Sequence, residues 1–167
     1  GGGVCGMPAA PVVARAGLHH WEEPVISGTR GSGAVFFSGC NLRCVFCQNH
    51  SISAEGVGKR ITTARLREIF EELIAQGAHN INLVTPTHFV PWILPALEPP
   101  LPVPVVYNCG GYERVETLRT LEGLVDVYLP DLKYADGTLA AALSGAADYF
   151  PVACQAIREM FRQVGPY

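Results

Sequence analysis

Apolar residues recur at two different spacings along this chain, and the spacing predicts which segments form helices and which form strands. From Leu66 to Ile74 they follow one another at steps of three and four residues, which predicts one buried helix face. Thr62, just before this run, is a candidate N-cap. A second long helix is predicted over 148–164, and shorter helical segments over 89–97, 114–121 and 138–143.

Short apolar runs bounded by glycine, proline or polar residues predict four strands, at 34–38, 80–85, 103–108 and 125–129. Strands that alternate with helices imply a parallel sheet with right-handed crossovers, so the predicted fold class is α/β with about four β/α units. Residues 1–30 are rich in Gly and Pro and show little periodicity. We therefore predict an irregular N-terminal lead-in over 1–30 and a single core domain over 31–167.

Composition narrows the class of protein. The 167 residues are 49% apolar and only 16% charged, which is enough apolar material for one domain with a buried core. The net charge is −3 and no basic block is present, so we expect no nucleic-acid partner. The longest uncharged stretch, 73–97, contains polar residues and three prolines, so we expect no membrane span. The sequence starts with glycine instead of methionine and stops at 165–167, just after a predicted helix end, so we expect a fragment at both ends.

Three of the six cysteines crowd into eight residues, as Cys40-x3-Cys44-x2-Cys47. Three thiolates on one loop can ligate three corners of an iron–sulfur cubane and leave the fourth iron open. A zinc site is the main alternative, with His50 as the fourth ligand, but this spacing is not usual for zinc. Disulfide pairing would leave one of the three cysteines over. The pattern therefore favours a cytosolic metal centre over a disulfide framework.

The cysteine loop follows a predicted strand and carries an aromatic residue, Phe46, just before the last cysteine. In this it resembles the signature of the radical S-adenosylmethionine (radical SAM) superfamily. The wider context, over about 12–167, resembles the pyruvate formate-lyase activating enzyme and its less characterised relatives. The resemblance implies a partial (β/α)6 barrel, a [4Fe-4S] cluster and S-adenosylmethionine (SAM) as cofactors.

The same resemblance implies an activity: reductive cleavage of SAM to a 5′-deoxyadenosyl radical, which abstracts a hydrogen atom, for instance from a glycine of a glycyl radical enzyme. It implies three partners, namely SAM, an electron donor such as flavodoxin or ferredoxin, and a protein substrate. It also implies a cytoplasmic location. Alternatives within enzymes are radical modification of another peptide or of a small molecule. Alternatives of another class are an electron-transfer module that does not cleave SAM, although electron carriers normally use four thiolates, and a zinc-binding structural domain.

The resemblance assigns cofactor contacts to residues beside the cysteines and after the second predicted strand. Phe46 and Gln48 match positions that touch the adenine. Thr85 and Thr87 lie where the family usually has a Gly-Gly-Glu type segment near the methionyl amine, so the acidic residue of that segment is missing here. Hydroxyl and carbonyl oxygens can still accept from an ammonium group. His88 either has a role in the site or is a helix-start residue that faces solvent or the site rim.

After the third and fourth predicted strands, further residues match the family. Asn108 replaces a carboxylate with an amide that can still bind a ribose or the carboxylate of SAM. Asp131 and Lys133 form part of an Asp-Leu-Lys segment, and alternation places them on one side of an extended chain. The lysine can pair with the carboxylate of SAM, and the aspartate can orient it. Cys109 is a weaker alternative as a fourth cluster ligand.

Two cysteines lie outside these motifs. Cys5 resembles the last member of a set of cysteines that precedes the core in the less characterised relatives, and it could equally be an unpaired surface thiol. Cys154 falls on the apolar side of the last predicted helix and is expected to pack in the core.

Overall fold

A computed structural model describes residues 6–166 of the chain, so the prediction for Cys5 falls outside the described residues. Its centre is a six-stranded sheet whose strands are β1 Val12–His19, β2 Ser32–Phe37, β3 Lys59–Arg60, β4 Ile81–Val84, β5 Val105–Cys109 and β6 Val127–Pro130. Their order across the sheet is β3-β1-β2-β4-β5-β6. The α-helices are α1 Pro24–Ser27, α2 His50–Ser53, α3 Thr63–Ala75, α4 Val90–Ile93, α5 Val115–Arg119, α6 Gly137–Ser144 and α7 Tyr149–Val164.

The four strands predicted from apolar runs are all present, as β2, β4, β5 and β6, and they pair in parallel. Val35 of β2 lies beside Leu83 of β4, which lies beside Tyr107 of β5, and all three side chains are fully buried. The protein is thus an α/β protein with a mostly parallel sheet, as the alternation of elements predicts. The carboxyl ends of the four strands meet at one edge, where ligands bind in such sheets.

The prediction of an irregular lead-in over 1–30 is wrong for its central part. Residues Val12–His19 form β1, which pairs antiparallel with β2, and β3 pairs antiparallel with β1. The sequence does not predict this strand because its apolar and polar residues do not alternate clearly. In the structure, the consecutive residues Arg15 and Ala16 are both exposed. The register of β1 also shifts between Val13 and Arg15, which breaks the period of two.

The helices cover the sheet through apolar stripes, as the spacing predicts. The Thr62 hydroxyl accepts a hydrogen bond from the Arg65 amide and caps α3, whose Leu66, Phe70 and Leu73 are buried. The predicted segment 89–97 is a 3₁₀ turn, α4 and a second 3₁₀ turn, which is consistent with its prolines.

A second, smaller group of buried residues lies between α6, α7 and the cysteine loop. Its members are Leu42, Ala140, Ala146, Tyr149 and Ala153. Only Leu42 comes from the cysteine loop, so this cluster packs the loop against helices far along the sequence. Within residues 6–166, no helix is both long enough and apolar enough to cross a membrane.

Candidate functional site

A cavity of about 640 Å³ opens at the carboxyl ends of the parallel strands. All the residues to which the sequence assigns a role in the site, except Thr87, line it: Cys40, Cys44, Cys47, Phe46, Gln48, Thr85, Asn108, Asp131 and Lys133. The loops after β2, β4 and β6 and the end of strand β5 contribute these side chains. The predicted site residues therefore do lie together, in one cavity at the predicted edge of the sheet.

The three cysteines lie on the loop that follows β2, and none of them forms a disulfide. All three are partly exposed and line the cavity. The Leu42 amide donates to the Cys40 sulfur over 3.4 Å, and the Ser53 hydroxyl lies 3.1 Å from the Cys47 sulfur. Burial raises the pKa of the Cys40 thiol to about 11, an effect that the Leu42 amide opposes. Cluster iron binds the thiolate, so ligation would release the proton of this thiol.

The donor set fits an iron–sulfur cluster. Each thiolate ligand of a four-iron cluster binds a different iron, so the sulfurs surround a volume rather than converging on one ion. Three free thiols on one loop, all facing a cavity large enough for a cofactor, meet that requirement. In residues 6–166, no three His, Cys, Asp or Glu side chains are grouped so as to hold a single metal ion.

The cysteine loop is fixed by α6, a helix about 100 residues further along the chain. The amides of Arg43 and Val45 donate to the carbonyls of Ser144 and Leu143, over 3.1 and 2.9 Å. The Ser144 hydroxyl donates to the Cys44 sulfur over 2.9 Å. Backbone and side-chain bonds together thus hold the middle cysteine in place. Phe46, by contrast, is 53% exposed, and its ring meets that of Tyr134 edge-on, with the ring centres 6.1 Å apart.

The turn after β4 forms another part of the cavity wall, and its backbone is strained. Thr85 has φ 57°, and no other non-glycine residue that the structure describes has a positive φ. This left-handed conformation is unfavourable for a β-branched residue by roughly 1–2 kcal/mol. The Thr85 amide donates to the Asn108 carbonyl over 2.9 Å. Two residues on, the Thr87 hydroxyl points away from the cavity and donates to Glu113 over 2.5 Å.

His88 ties this turn to the start of the cysteine loop. Its Nε2 donates to the Ser38 carbonyl over 2.7 Å, and the ring is mostly buried. Burial lowers the pKa of His88, an effect that the Ser38 bond only partly offsets, so the ring stays neutral near pH 7. His88 is therefore neither a free rim residue nor an idle helix start, because it links two loops of the site.

Glu113 is a buried carboxyl group that sequence reasoning missed. It is only 2% exposed, lies between β5 and α5, and accepts hydrogen bonds from the hydroxyls of Thr87 and Tyr107. Burial raises its pKa to about 7, although the hydrogen bonds oppose the shift. No local signal distinguishes this glutamate in the sequence, because its burial depends on a residue 26 positions earlier.

The raised pKa of Glu113 predicts a pH dependence of stability. The folded protein holds this proton more tightly than the unfolded chain, whose pKa is near 4.5. The protonated Glu113 therefore contributes its full stabilisation below about pH 4.5. As the pH rises to about 7 this stabilisation is lost, which lowers the free energy of unfolding by about 3 kcal/mol. Urea unfolding at a series of pH values should show this fall in the wild type and not in Glu113→Gln.

The titratable groups near Glu113 do not affect the comparison between the wild type and Glu113→Gln. Tyr107 and Cys109 face Glu113, and burial raises the pKa of both, so neither titrates in this window. His88 acts in the opposite sense because its pKa is lowered, but it is present in both proteins. Equal pH profiles for the wild type and Glu113→Gln would contradict the prediction.

The segments after β5 and β6 meet at the far side of the cavity. Lys133 donates to Asp131 over 2.5 Å, and this bond, with the Asp131 charge, raises the pKa of the lysine although burial acts against it. The lysine is therefore a fixed cation. Gly111 has φ 76°, and any side chain there would overlap the Asp131 carbonyl oxygen. The two segments can approach this closely only because that position is glycine.

Tyr149 of α7 anchors both segments from behind. Its hydroxyl accepts from the Lys133 amide over 3.0 Å and lies 2.8 and 2.9 Å from the carbonyls of Gly110 and Asp131. The side chain is fully buried, and its ring packs against those of Tyr112 and Tyr134. One residue of the last helix thus sets the position of the Asp–Lys pair.

Strand β1 and the segment after it add residues that the sequence left without a role. Arg15, His19, Trp21 and Glu22 all line the cavity. The Arg15 guanidinium lies 5.8 Å from the centre of the Phe36 ring. Pairing of β1 with β2 brings this part of the chain to the site. Because β1 was not predicted from the sequence, these residues could not be assigned to the site.

Cys109 and Cys154 differ in burial. Cys109 is buried, and burial raises its pKa well above the usual value, so it is a neutral thiol in the metal-free protein. Cys154 lies on α7 and is only partly buried. Both are free thiols.

Comparisons with known proteins match parts of this chain. The chain is 35% identical over 144 residues to a protein of Methanocaldococcus jannaschii named "Uncharacterized protein MJ0674". The match covers 81% of this chain and 42% of that relative, so the chain spans less than half of the relative's length. The family model of the radical SAM superfamily matches residues 34–98, the segment that contains most of β2, the three cysteines and the Thr85 turn. Residues 34–98 thus carry the match to the radical SAM superfamily, and the cysteine loop lies within it.

Proposed function

We propose that the chain holds a [4Fe-4S] cluster through Cys40, Cys44 and Cys47 and binds SAM in the adjoining cavity. One observation carries the proposal: three free thiols on a single loop line the same cavity as a fixed Asp–Lys pair. When bound and reduced, the cluster supplies the electron that cleaves SAM to a 5′-deoxyadenosyl radical, which abstracts a hydrogen atom.

The residues of the cavity wall have separate roles in this proposal. Lys133, held cationic and in place by Asp131, binds the carboxylate of SAM. Asn108 hydrogen-bonds the ribose or the carboxylate, and oxygens of the turn at Thr85 accept from the methionyl amine. Phe46 and Gln48 lie against the adenine. Thr87 supports the turn from behind instead of touching SAM, since its hydroxyl is bonded to Glu113.

We further propose that the enzyme belongs to the branch of the pyruvate formate-lyase activating enzyme and acts on a glycine of a partner protein. The Asp-Leu-Lys segment at the cavity supports this assignment. So do the apolar side chains at the rim, since Trp21 is 88% exposed and lies beside the cavity. A flavodoxin or ferredoxin is the proposed electron donor, and the cytoplasm the proposed location.

The division into a lead-in over 1–30 and a core over 31–167 remains a prediction. The pairing of β1 with β2 favours a core that begins before residue 31. Closure of the sheet into a (β/α)6 barrel is likewise part of the proposal, as an extension of the parallel strands seen here.

Anaerobic reconstitution tests the central proposal. The full chain, supplied with iron and sulfide, is expected to bind about four irons per chain. With dithionite and SAM it is expected to release 5′-deoxyadenosine, measured by liquid chromatography. A reduced cluster that persists without releasing this product would favour an electron-transfer module, and zinc without iron would favour a structural metal site.

The hydrogen donor can be identified in the same assay. Peptides that contain glycine deuterated at the α-carbon should transfer deuterium to 5′-deoxyadenosine, detected by mass spectrometry. Product formed without deuterium from any such peptide would contradict a glycine substrate and would favour a small molecule.

A further inference from the structure

Glu113 lies directly behind the cavity wall and is not used by the roles proposed above. Its two carboxylate oxygens accept from two different elements: Oε1 from the Thr87 hydroxyl in the turn after β4, and Oε2 from the Tyr107 hydroxyl in β5. The distances are 2.5 and 3.1 Å. The carboxyl group therefore joins the turn after β4 to the neighbouring strand at the edge where the cavity opens.

That turn requires external restraint. Thr85 is held in the left-handed region, a conformation that persists only where the surroundings enforce it. Three bonds do so: the Thr85 amide to the Asn108 carbonyl, the Thr87 hydroxyl to Glu113, and His88 to the Ser38 carbonyl. Of these, only the bond to Glu113 joins two side chains.

We infer that Glu113 is a positioning residue, which holds the turn over 85–88 in its strained form and so fixes Thr85 and Asn108 where they can contact the methionyl part of SAM. The inference rests on the proposed function. The turn itself contains no acidic residue. The carboxyl group that supports it is that of Glu113, which belongs to a different β/α unit.

Packing alone does not explain a glutamate here. Burying a carboxyl group is unfavourable unless hydrogen bonds compensate, and an apolar side chain would fill the same space without that penalty. The raised pKa of Glu113 reflects the same burial. A glutamine could keep both bonds, because it offers one acceptor and one donor, and the hydroxyls of Thr87 and Tyr107 can act in either sense.

Binding measurements on the reconstituted full chain test the inference. We expect Glu113→Ala and Thr87→Val each to weaken SAM binding roughly tenfold while iron content stays unchanged, because both remove the bond between Thr87 and Glu113 that restrains the turn; Glu113→Ala also removes the bond to Tyr107. Glu113→Gln should bind SAM within about threefold of the wild type, as a conservative rescue. The double variant Glu113→Ala/Thr87→Val should bind SAM no more weakly than the weaker-binding single variant, since both substitutions remove the same bond between Thr87 and Glu113.

Glu159 provides a matched control. It is also a buried glutamate, but it lies on α7 and is bonded to Arg162 and Gln163. Glu159→Ala should lower the thermal midpoint and leave SAM affinity unchanged. If Glu113→Ala affects stability and affinity in the same way as Glu159→Ala does, Glu113 has a structural role only and the inference is wrong.

Hydrogen exchange separates this inference from the proposed function. In the cluster-free protein without SAM, Glu113→Ala should speed amide exchange in the peptide 81–93 by about tenfold relative to the wild type, because the turn loses its restraint. Unchanged exchange would overturn the positioning role even if the wild type cleaves SAM. A reconstituted wild type that binds no SAM would overturn the proposed function, whatever the exchange experiment shows.

Discussion

Replacing Cys44 by alanine is expected to abolish cluster binding and, with it, the release of 5′-deoxyadenosine. Cys44 is the middle ligand of the proposed set, and its sulfur accepts a hydrogen bond from Ser144. Two thiolates cannot hold a cubane that three hold with one iron open, so the loss should be complete rather than partial. Iron content and product formation after anaerobic reconstitution measure the effect, which should fall to the background of a sample without protein.

Cys154 supplies the matched control for Cys44. It is a free, partly buried thiol on α7 and does not line the cavity. Cys154→Ala should leave iron content and product formation unchanged. If Cys44→Ala retained the full iron content, or if both variants lost iron equally, the assignment of the ligands would be wrong.

Replacing Tyr149 by alanine should lower the free energy of unfolding by about 3–5 kcal/mol, because it empties the space of a fully buried aromatic ring. Replacing it by phenylalanine should cost about 1–3 kcal/mol, since the Lys133 amide and two carbonyls lose their partner while the ring stays. Urea unfolding at equal slope measures both values.

Tyr149→Phe should also weaken SAM binding. The Lys133 amide loses the bond that fixes it, so the Asp–Lys pair is held less firmly and SAM affinity should fall. Tyr128→Phe is the control, because its hydroxyl donates to Gln163, a partly exposed residue of α7, and Tyr128 does not line this cavity. A cost of Tyr149→Phe no larger than that of Tyr128→Phe would contradict the anchoring role.

The sequence predicts the parallel strands and the edge that carries the site because both depend on patterns within short segments of the chain. The strands are buried apolar runs, and the cysteine spacing reflects ligation by one loop. Asn108, Asp131 and Lys133 are assigned from the family resemblance, and their places after predicted strands agree with the rule that ligands meet at the carboxyl ends of parallel strands. Nothing in these inferences depends on contacts between distant parts of the chain.

What the sequence could not predict depends on such contacts. Strand β1 lacks a clear alternation, and its position follows only from pairing with β2. Glu113 looks like an ordinary polar residue of a turn, and only the fold brings Thr87 to it. Likewise, no pattern in the cysteine loop indicates that Ser144 holds it.

The bond between Cys44 and Ser144 also has a consequence for biogenesis. Synthesis proceeds from the N-terminus, so the cysteine loop leaves the ribosome about 100 residues before the helix that fixes it. Until then the loop lacks the bonds with Ser144 and Leu143 that hold it in the folded protein. We therefore expect that the proposed cluster can be inserted only after translation of α6, and that a nascent chain arrested before that helix accepts no cluster.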